Sequence, residues 1–263
     1  MSERFDMFRD QFSLKGKVAL VGGGAGGIGS AVSEGLCALG ATVALTDLKQ
    51  ENAETVAGQI NDNGGDAHGF GLSIAKMDDL KPFTQKLYDQ FGKVDIVVNC
   101  IGSHREAPAE EYTEEDWDFV FDLNLKTAFF LSQAVAIQQI KQKSGGKHIH
   151  ITSVRSALGI SRGYIAYCAS KGGMNMMVKQ LASEWAKHGI TVNGIAPTFT
   201  RTALVAKYLN DPDFYNPLVA RIPLGRIAEP EDIAELAMFL AAPASDFITG
   251  QVVFADGGVT AIQ

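Results

Sequence analysis

The stretch KVALVGGGAGGIGSAVSEGL, residues 17–36, indicates which fold this chain adopts. Its first part, KVALVG, is a short apolar run with β-branched residues, which is typical of a buried strand. A cluster of glycines follows, and a helical pattern then runs through Ser30–Leu39. A strand that turns through glycines into a helix predicts the first part of a βαβ unit.

The glycine-rich turn is suited to bind a pyrophosphate. Backbone amides at such a turn, with a helix N-terminus behind them, can donate hydrogen bonds to phosphate oxygens. Two dinucleotide-binding patterns fit, Gly22-x-Gly24-x-x-Gly27 and Gly23-x-x-x-Gly27-x-Gly29. A glycine pattern also occurs in purely structural turns, so its position between a strand and a helix is what gives it weight. We therefore predict that a dinucleotide binds at this turn.

Asp47 suggests which dinucleotide that is. It ends the second predicted strand, ATVALTD, and lies 18 residues after Gly29. An acidic residue at about this spacing accepts a hydrogen bond from the adenosine ribose, and its charge repels the additional phosphate of NADP. No arginine or lysine occurs between Gly22 and Ser30 to attract that phosphate. We expect NAD as the cofactor, although Lys49 is a nearby cation that could approach a phosphate.

The rest of the chain repeats the alternation of strand and helix that builds a parallel sheet. Later strands are predicted at ATVALTD, AHGFGLS, VDIVVNC, KHIHITS, ITVNGIA and QVVFADGG. Their continuous apolar runs suit a sheet that is buried on both faces. The predicted fold is α/β and Rossmann-like: a doubly wound sheet of seven parallel strands with helices on both faces, in a single domain.

The helical segments complete this organisation. After the first helix they are predicted near 51–63, 77–91, 114–142 and 163–187, and from Pro230 onwards. Thr113 is the expected N-cap of the third of these, because acidic residues follow in its first turn. We expect an N-terminal arm at 1–14 and one dinucleotide-binding catalytic domain at 15–263. Within that domain, 197–229 falls outside the alternation, and a long irregular segment is often a substrate lid.

Composition bounds the partners and the location. The 263 residues carry a net charge of -7 and no block of basic residues, which argues against nucleic acid. The N-terminus lacks a signal-peptide pattern and no apolar stretch reaches the ~18 residues of a membrane span, so we expect a cytoplasmic protein without membrane partners. Cys37, Cys100 and Cys168 lack CxxC spacing, and His148 with His150 supplies too few ligands, so no metal site is predicted.

The stretch GYIAYCASKGG, residues 163–173, carries the chemistry. On a helix, Tyr164, Tyr167 and Lys171 share one face. A free tyrosine titrates near pH ~10, which is too high for efficient proton exchange at neutral pH. A nearby ammonium favours the phenolate and lowers that pKa. The Tyr-x-x-x-Lys spacing therefore predicts the proton donor and acceptor that hydride transfer to a ketone requires.

The chain resembles the short-chain dehydrogenase/reductase family over residues 14–258. The resemblance rests on VGGGAGGIG, Asp47, KVDIVVNCIG, DLNLKTAFF, ITSVRSALG, YCASKGG, VNGIAP and ITGQVVFADGG. It implies that Tyr167 is the catalytic acid and base and that Lys171 lowers its pKa and binds the nicotinamide ribose. It also implies that Ser153 orients the substrate oxygen and that Asn124 supports a proton-relay water.

The resemblance implies further contacts and an assembly. The implied cofactor-binding residues are Gly23, Gly27, Ile28, Gly29, Asp47, Asn99, Gly102, Tyr167, Lys171, Pro197 and Thr202. The implied strand order is 3-2-1-4-5-6-7. A homotetramer is implied, with a homodimer as the alternative, and faces of the helices near 114–142 and 163–187 would form a subunit interface.

Two departures from the family pattern lie close together. Gly22 stands where the family usually has threonine, which removes a side-chain hydrogen bond to the motif after the fourth strand. Asn99-Cys100-Ile101-Gly102 replaces the usual Asn-Asn-Ala-Gly. Both affect the expected contacts of the cofactor rather than the catalytic positions.

Within the family, the nearest likeness is to gluconate, sugar-acid and polyol dehydrogenases. Tyr164 is expected on the wall of the substrate pocket, while Arg105 and Arg155 are candidates for binding an anionic or polyhydroxy substrate. Each arginine could equally be exposed to solvent or lie at an interface. The expected function is NAD-dependent hydride transfer to or from a secondary alcohol. The alternatives are a 3-oxoacyl-thioester reductase that uses NADPH and a non-catalytic NAD-binding sensor.

Overall fold

A computed structural model of the chain describes residues 3–73 and 79–262. Seven strands form one parallel sheet in the order β3-β2-β1-β4-β5-β6-β7, which confirms the expected topology. The strands are β1 (Val18–Gly22), β2 (Thr42–Asp47), β3 (Asp66–Gly71), β4 (Ile96–Asn99), β5 (Gly146–Ile151), β6 (Ile190–Pro197) and β7 (Val252–Ala255). The chain order reverses direction between β1 and β4, where open α/β sheets bind their ligands.

The helices connect these strands. They are α1 (Glu3–Asp10), α2 (Gly27–Ala38), α3 (Gln50–Asp62), α4 (Leu80–Phe91), α5 (Glu114–Phe121), α6 (Thr127–Gln142), α7 (Ile165–Trp185), α8 (Ala203–Leu209), α9 (Pro212–Val219) and α10 (Pro230–Ala241). A π-helical turn at Asp122–Lys126 joins α5 to α6, so one long helix is present as predicted. Thr113 is its N-cap and accepts a hydrogen bond from the Asp116 amide at 3.1 Å.

Both faces of the sheet are buried under helices, which explains the continuous apolar runs. On β1, Ala19 and Val21 belong to the core beneath α2 and α10. Leu20 points to the opposite face, where it packs in the cluster that contains Leu87 of α4 and Leu131 of α6. All three strand residues are fully buried. Alternate side chains of a central strand therefore support the two helical layers.

The structure departs from the sequence prediction in one segment and gives the bounds of two others. The stretch 197–229 is not irregular, because it contains α8 and α9 after β6 has ended. The fourth helix begins at Leu80, and positions 77 and 78 of the predicted helix lie outside the described residues. The first residues of the arm form α1, whose aromatic side chains are largely exposed.

The helix from Glu114 to Gln142 is long and apolar enough to pass a composition test for a membrane span. It nevertheless packs on the sheet, and two of its buried polar residues are bonded inside the protein. Gln139 donates to the Val94 carbonyl at 2.9 Å, and Thr127 donates to the Asp122 carbonyl at 2.9 Å. The helix is therefore a core element of this fold, which accounts for its apolar composition.

Candidate active site

A cavity of about 480 Å³ opens at the carboxyl ends of the central strands. Its walls come from the turn after β1 and the segments that follow β4, β5 and β6, together with the start of α7. The sequence-predicted residues that line it are Gly23, Gly27, Ile28, Gly29, Gly102, Ser153, Arg155, Tyr164, Tyr167, Lys171, Pro197 and Thr202. Segments far apart in the sequence thus meet at one site, as parallel strand topology requires.

The glycine-rich turn has the geometry of a phosphate-binding loop. Gly23 has a φ of +72°, a conformation that side chains disfavour. A Cβ at Gly29 would collide with the Gly23 carbonyl oxygen, and one at Gly27 would lie 2.6 Å from the Thr202 Cγ2 atom. The N-cap of α2 is Gly26, which has no side chain to bond the first amides of the helix. The Gly23, Gly24 and Gly26 amides are bonded within the protein, and the first amides of α2 lack a side-chain cap, so the helix N-terminus fits a pyrophosphate.

Asp47 lies at the carboxyl end of β2, beside the cavity rather than on its lining. Its Oδ1 atom accepts hydrogen bonds from the Lys49 backbone amide and the Asn52 side-chain amide, both at 3.0 Å. These contacts fix the carboxylate on the side of the site next to the glycine-rich turn. The structure describes no bond between Asp47 and the Lys49 ammonium, so the carboxylate is not neutralised by that cation.

Lys171 is almost entirely buried, with 4% of its surface exposed. Its Nζ atom donates a hydrogen bond to the Ile151 carbonyl at 2.8 Å and lies 5.8 Å from the centroid of the Tyr167 ring. Burial lowers the pKa of this ammonium to about 8. The lysine and Tyr167 are therefore neighbours on one wall of the cavity, as their spacing on a helix predicts.

The pKa of Tyr167 is raised in this structure, whereas the sequence predicts that a nearby ammonium lowers it. Burial is the largest influence and raises it, while hydrogen bonding with the Ser153 side chain and the more distant charge of Arg155 act in the opposite direction. Lys171 is not among the influences on this pKa, and its ammonium donates to the Ile151 carbonyl. In the chain alone, the phenol is therefore held in its protonated form. A cation bound in the cavity would favour the phenolate.

Tyr164 occupies a different position from Tyr167. It is the residue before α7, and its ring centroid lies 6.0 Å from that of Tyr167. His104 packs edge-on against both rings, with centroid distances of 5.0 Å to Tyr164 and 6.0 Å to Tyr167. Burial lowers the pKa of His104, so the imidazole is neutral at physiological pH. Together they form a wall of the cavity.

Asn124 lies in the π-helical turn and is fully buried. Its Oδ1 accepts from the Ser103 amide at 2.8 Å, while its Nδ2 donates to the Ser103 carbonyl and the Ser170 hydroxyl, both at 3.0 Å. Ser170 in turn donates to the Tyr167 carbonyl at 2.9 Å. The wide turn thus aims one amide at two walls of the cavity. Such turns interrupt helices frequently at functional sites.

Asn99 lies below the cavity floor at the end of β4 and is fully buried. Its Oδ1 accepts a long bond from the Ile101 amide at 3.4 Å, and its Nδ2 has no partner among the described residues. A Cβ at Gly22 would lie 3.5 Å from the Asn99 Oδ1 atom. A side chain at position 22 would therefore lie beside this asparagine, whose Nδ2 atom is left without a partner among the described residues.

The candidate arginines separate into two groups. Arg155 lines the cavity and donates from Nη1 to the Gly159 carbonyl at 2.9 Å. Arg105 is not among the lining residues: its Nε atom lies 3.4 Å from an Asp116 carboxylate oxygen, and its guanidinium stacks 4.2 Å from the Phe119 ring centroid. These partners on α5 hold the Arg105 side chain away from the cavity. The sequence around Arg105 does not by itself show where this side chain points.

Sequence reasoning missed other parts of the site. Ser170 links Asn124 to Tyr167, and its position directly before Lys171 was the available signal. Phe199 and Val205 line the cavity from the segment after β6. Within residues 3–73 and 79–262, no three histidine, cysteine or acidic side chains converge to hold a metal ion.

Known proteins share both this sequence and this architecture. A family model described as enoyl-(acyl carrier protein) reductase matches residues 23–260. D-threitol dehydrogenase of Mycolicibacterium smegmatis is 38% identical over 249 residues, which are 95% of each chain. The chain belongs to the short-chain dehydrogenase/reductase family. As a member of this family, it is an oxidoreductase that acts on alcohol groups with a nicotinamide dinucleotide.

Two further short-chain dehydrogenases/reductases extend the comparison. The 3-oxoacyl-(acyl-carrier-protein) reductase of Thermotoga maritima is 36% identical over 248 residues, 94% of this chain and 98% of that protein. The crystal structure of a gluconate 5-dehydrogenase from Burkholderia cenocepacia, in complex with NADP and tartrate, has a TM-score of 0.92 at 35% identity. That match covers 97% of this chain and 99% of the other. Similar chains in this family therefore carry names for different substrates.

Proposed function

We propose that the chain is an NAD-dependent dehydrogenase that interconverts a secondary alcohol and its ketone on a small polar substrate, such as a sugar acid or polyol. The observation that supports this most strongly is one cavity that joins the glycine-rich turn to Ser153, Tyr167 and Lys171. When bound, the nicotinamide ring supplies hydride transfer to or from the carbinol carbon. The similarity to a threitol dehydrogenase and a gluconate 5-dehydrogenase favours polyhydroxy substrates.

The chain's own residues divide the remaining work. Tyr167 exchanges the hydroxyl proton of the substrate, and Ser153, which hydrogen-bonds with it, holds the reacting oxygen. Lys171 places a cation between this pair and the ribose side of the cavity. Asn124 fixes the Ser103 backbone and, through Ser170, the turn of α7 that carries Tyr167. Each group is held by buried hydrogen bonds before substrate arrives, which reduces reorganisation during the reaction.

The preference for NAD rests on Asp47. The additional phosphate of NADP would be placed near a fixed carboxylate, and like charges at short range are unfavourable. The Burkholderia relative carries NADP in its crystal structure, so the family accommodates both cofactors. In this chain, the Lys49 backbone amide and the Asn52 side-chain amide hold the Asp47 carboxylate in place, and its charge favours NAD.

A second candidate is a 3-oxoacyl-thioester reductase that uses NADPH. The 36% identity to the Thermotoga reductase supports it. Asp47 counts against it, because its carboxylate disfavours the additional phosphate of NADPH. The net charge of -7 also counts against it, because an acidic acyl carrier would be repelled. A non-catalytic NAD sensor is the remaining alternative.

Three further proposals concern the location, the assembly and the substrate lid of the enzyme. We propose that the enzyme acts in the cytoplasm as a homotetramer, with the segment 197–229 covering the substrate as a lid. This segment already contributes to the cavity wall, because Phe199 and Thr202 before α8 and Val205 within it line the cavity.

Nicotinamide reduction by the purified chain tests the function. Sugar acids, polyols, cyclic alcohols and hydroxyacyl thioesters would each be supplied with NAD and with NADP. We expect activity with NAD on polyhydroxy substrates, a loss of at least ~100-fold in Tyr167→Phe, and a smaller loss in the matched control Tyr164→Phe. Activity with NADP alone would contradict the role of Asp47 and support the reductase. NAD binding without turnover, unchanged in Tyr167→Phe, would support the sensor.

A further inference from the structure

The candidate active site continues into a second cavity of about 510 Å³. Arg155, Thr198 and Phe199 line both cavities, so the two spaces are contiguous. The second cavity lies between the segment after β5 and the segment that contains α9. A substrate whose carbinol faces Tyr167 would therefore extend its other end toward this space.

Arg155 lines both cavities, and most N–H donors of its guanidinium have no hydrogen-bond partner among the described residues. It is half-buried, and burial lowers its pKa. Of its five N–H donors, the structure shows one bond, from Nη1 to the Gly159 carbonyl at 2.9 Å. In the described part of the chain, no carboxylate forms an ion pair with it. The remaining N–H donors of this half-buried guanidinium would gain charge-assisted hydrogen bonds from a bound anion.

Arg221 adds a second cation to the same space. It follows α9, lines the second cavity, and forms no ion pair with any described residue. Its charge also acts on Arg155 and lowers the pKa of that group further. Two guanidinium groups that repel each other are both stabilised by an oxyanion between them.

The other charged residues of this lining do not cancel the pair. Arg162 is neutralised by a two-pronged ion pair with Glu106, whose N–O distances are both 3.1 Å. Asp213 is the single carboxylate among the described lining residues, and it makes no ion pair with either free arginine. The second cavity therefore keeps a net positive charge.

We propose that Arg155 and Arg221 form an anion subsite, and that the substrate carries an oxyanion, a carboxylate or phosphate, at the end remote from its reacting carbinol. This inference rests on the proposed function, since the carbinol is placed by Tyr167. It narrows the substrate from polyhydroxy compounds in general to hydroxy acids or phosphorylated polyols. A neutral polyol leaves both guanidinium groups without a partner and binds weakly.

Calorimetric titration tests the subsite without turnover. The intact chain would be loaded with NADH and titrated with D-gluconate, with D-glucitol 6-phosphate and with neutral D-glucitol. We expect at least one anion to bind at least tenfold more tightly than glucitol, and the preferred anion identifies carboxylate or phosphate. Arg155→Gln and Arg221→Gln should each weaken that anion about tenfold and leave glucitol unchanged. Arg4→Gln, an exposed arginine on α1, is the matched control.

The outcomes separate this inference from the proposed function. Equal affinity for glucitol and both anions, an unchanged preference in the variants, or no binding of any probe overturns the subsite. Arg221 is exposed, so Arg221→Gln keeps the test valid should Arg155→Gln fail to fold. If instead arginine-dependent anion binding is found while the alcohol panel gives no turnover, the subsite stands and the dehydrogenase function fails.

Discussion

The buried charge of Lys171 lowers the stability of the fold and serves the proposed catalysis. An ammonium with 4% exposure and one hydrogen bond, to the Ile151 carbonyl, is poorly solvated, and its pKa falls to about 8 from an ordinary value of 10.5. At pH 7 the folded chain must nevertheless hold this charge. The cation is useful only when a phenolate or a bound cofactor is beside it.

Replacement of Lys171 by methionine should stabilise the chain at pH 7 and abolish catalysis. Each pKa unit corresponds to about 1.4 kcal/mol, so the buried charge costs about 3 kcal/mol, from which the lost bond to Ile151 subtracts about 1 kcal/mol. We expect a net gain of about 1–3 kcal/mol by urea unfolding, with kcat/KM reduced at least ~100-fold.

The pH dependence of this gain has a defined sign. Below pH 8 both states of the wild type hold the proton, so the cost is fully present. Between pH 8 and 10.5 the unfolded chain binds more protons than the folded chain, so wild-type stability rises relative to Lys171→Met. The gain should therefore shrink from pH 7 to pH 10. Lys141→Met, at an exposed position of α6, is the control; a variant that is less stable at pH 7, with no trend in pH, contradicts the prediction.

At the scale of elements, the ends of β1 and β4 fit each other in an unusual way. Gly22 is paired in register with Asn99, and a Cβ at Gly22 would lie 2.9 Å from Ile101 Cδ1 and 3.0 Å from Leu131 Cδ2. The isoleucine therefore fills the space that a side chain at position 22 would need. We therefore expect Gly22 and Ile101 to compensate each other in volume, while the Asn99 Nδ2 atom has no partner among the described residues.

If Gly22 and Ile101 compensate each other in volume, the effects of mutations at these two positions on stability should be coupled. Gly22→Thr should destabilise the chain by about 1–3 kcal/mol through overpacking, and Ile101→Ala by a similar amount through a cavity. The double variant should lose at least about 1 kcal/mol less than the sum, because the threonine hydroxyl gains both space and the Asn99 amide as a partner. Urea unfolding of the four proteins measures this coupling.

A distant core change provides the comparison for that cycle. Ile60→Val, in α3 and away from the ends of β1 and β4, should add independently to Gly22→Thr. Simple additivity of Gly22→Thr with Ile101→Ala would show that the two positions do not compensate each other.

At the scale of the whole molecule, α5 to α7 present an apolar surface outside the core. Ile137 of α6 is 50% exposed and Met176 of α7 is 60% exposed, with Trp117 and Phe119 of α5 also partly exposed. Exposed apolar side chains mark protein–protein interfaces where they form one contiguous patch. The surface supports the homotetramer proposed from family resemblance.

Charges on this surface should therefore dissociate the assembly. Ile137→Glu and Met176→Glu each bury a carboxylate if the helices pair with those of a neighbour, and we expect smaller species in sedimentation velocity. Gln59→Glu introduces a charge at an exposed site of α3 and should leave the assembly unchanged. A wild-type chain that sediments as a monomer would falsify the proposal.

Prediction from sequence succeeded where local pattern is sufficient. The apolar runs predicted the seven strands, the family resemblance supplied their order in the sheet, and the Thr113 cap is made by a residue three positions away. Prediction from sequence did not reach the direction of the Arg105 side chain, which depends on Asp116 and Phe119 of a later helix. It also failed for the helices in 197–229, which are short and depend on contacts with the rest of the domain.

By itself, the sequence determined the βαβ rhythm, the glycine turn and the Tyr167–Lys171 spacing, because each is set by neighbours within a few residues along the chain. Only the tertiary structure decided that burial raises the Tyr167 pKa, that Asn124 links two walls, and that Arg155 meets Arg221 at a second cavity. Solvation and charge at a site depend on groups brought together from distant segments. Such distances are properties of the folded packing and are not encoded in any local pattern.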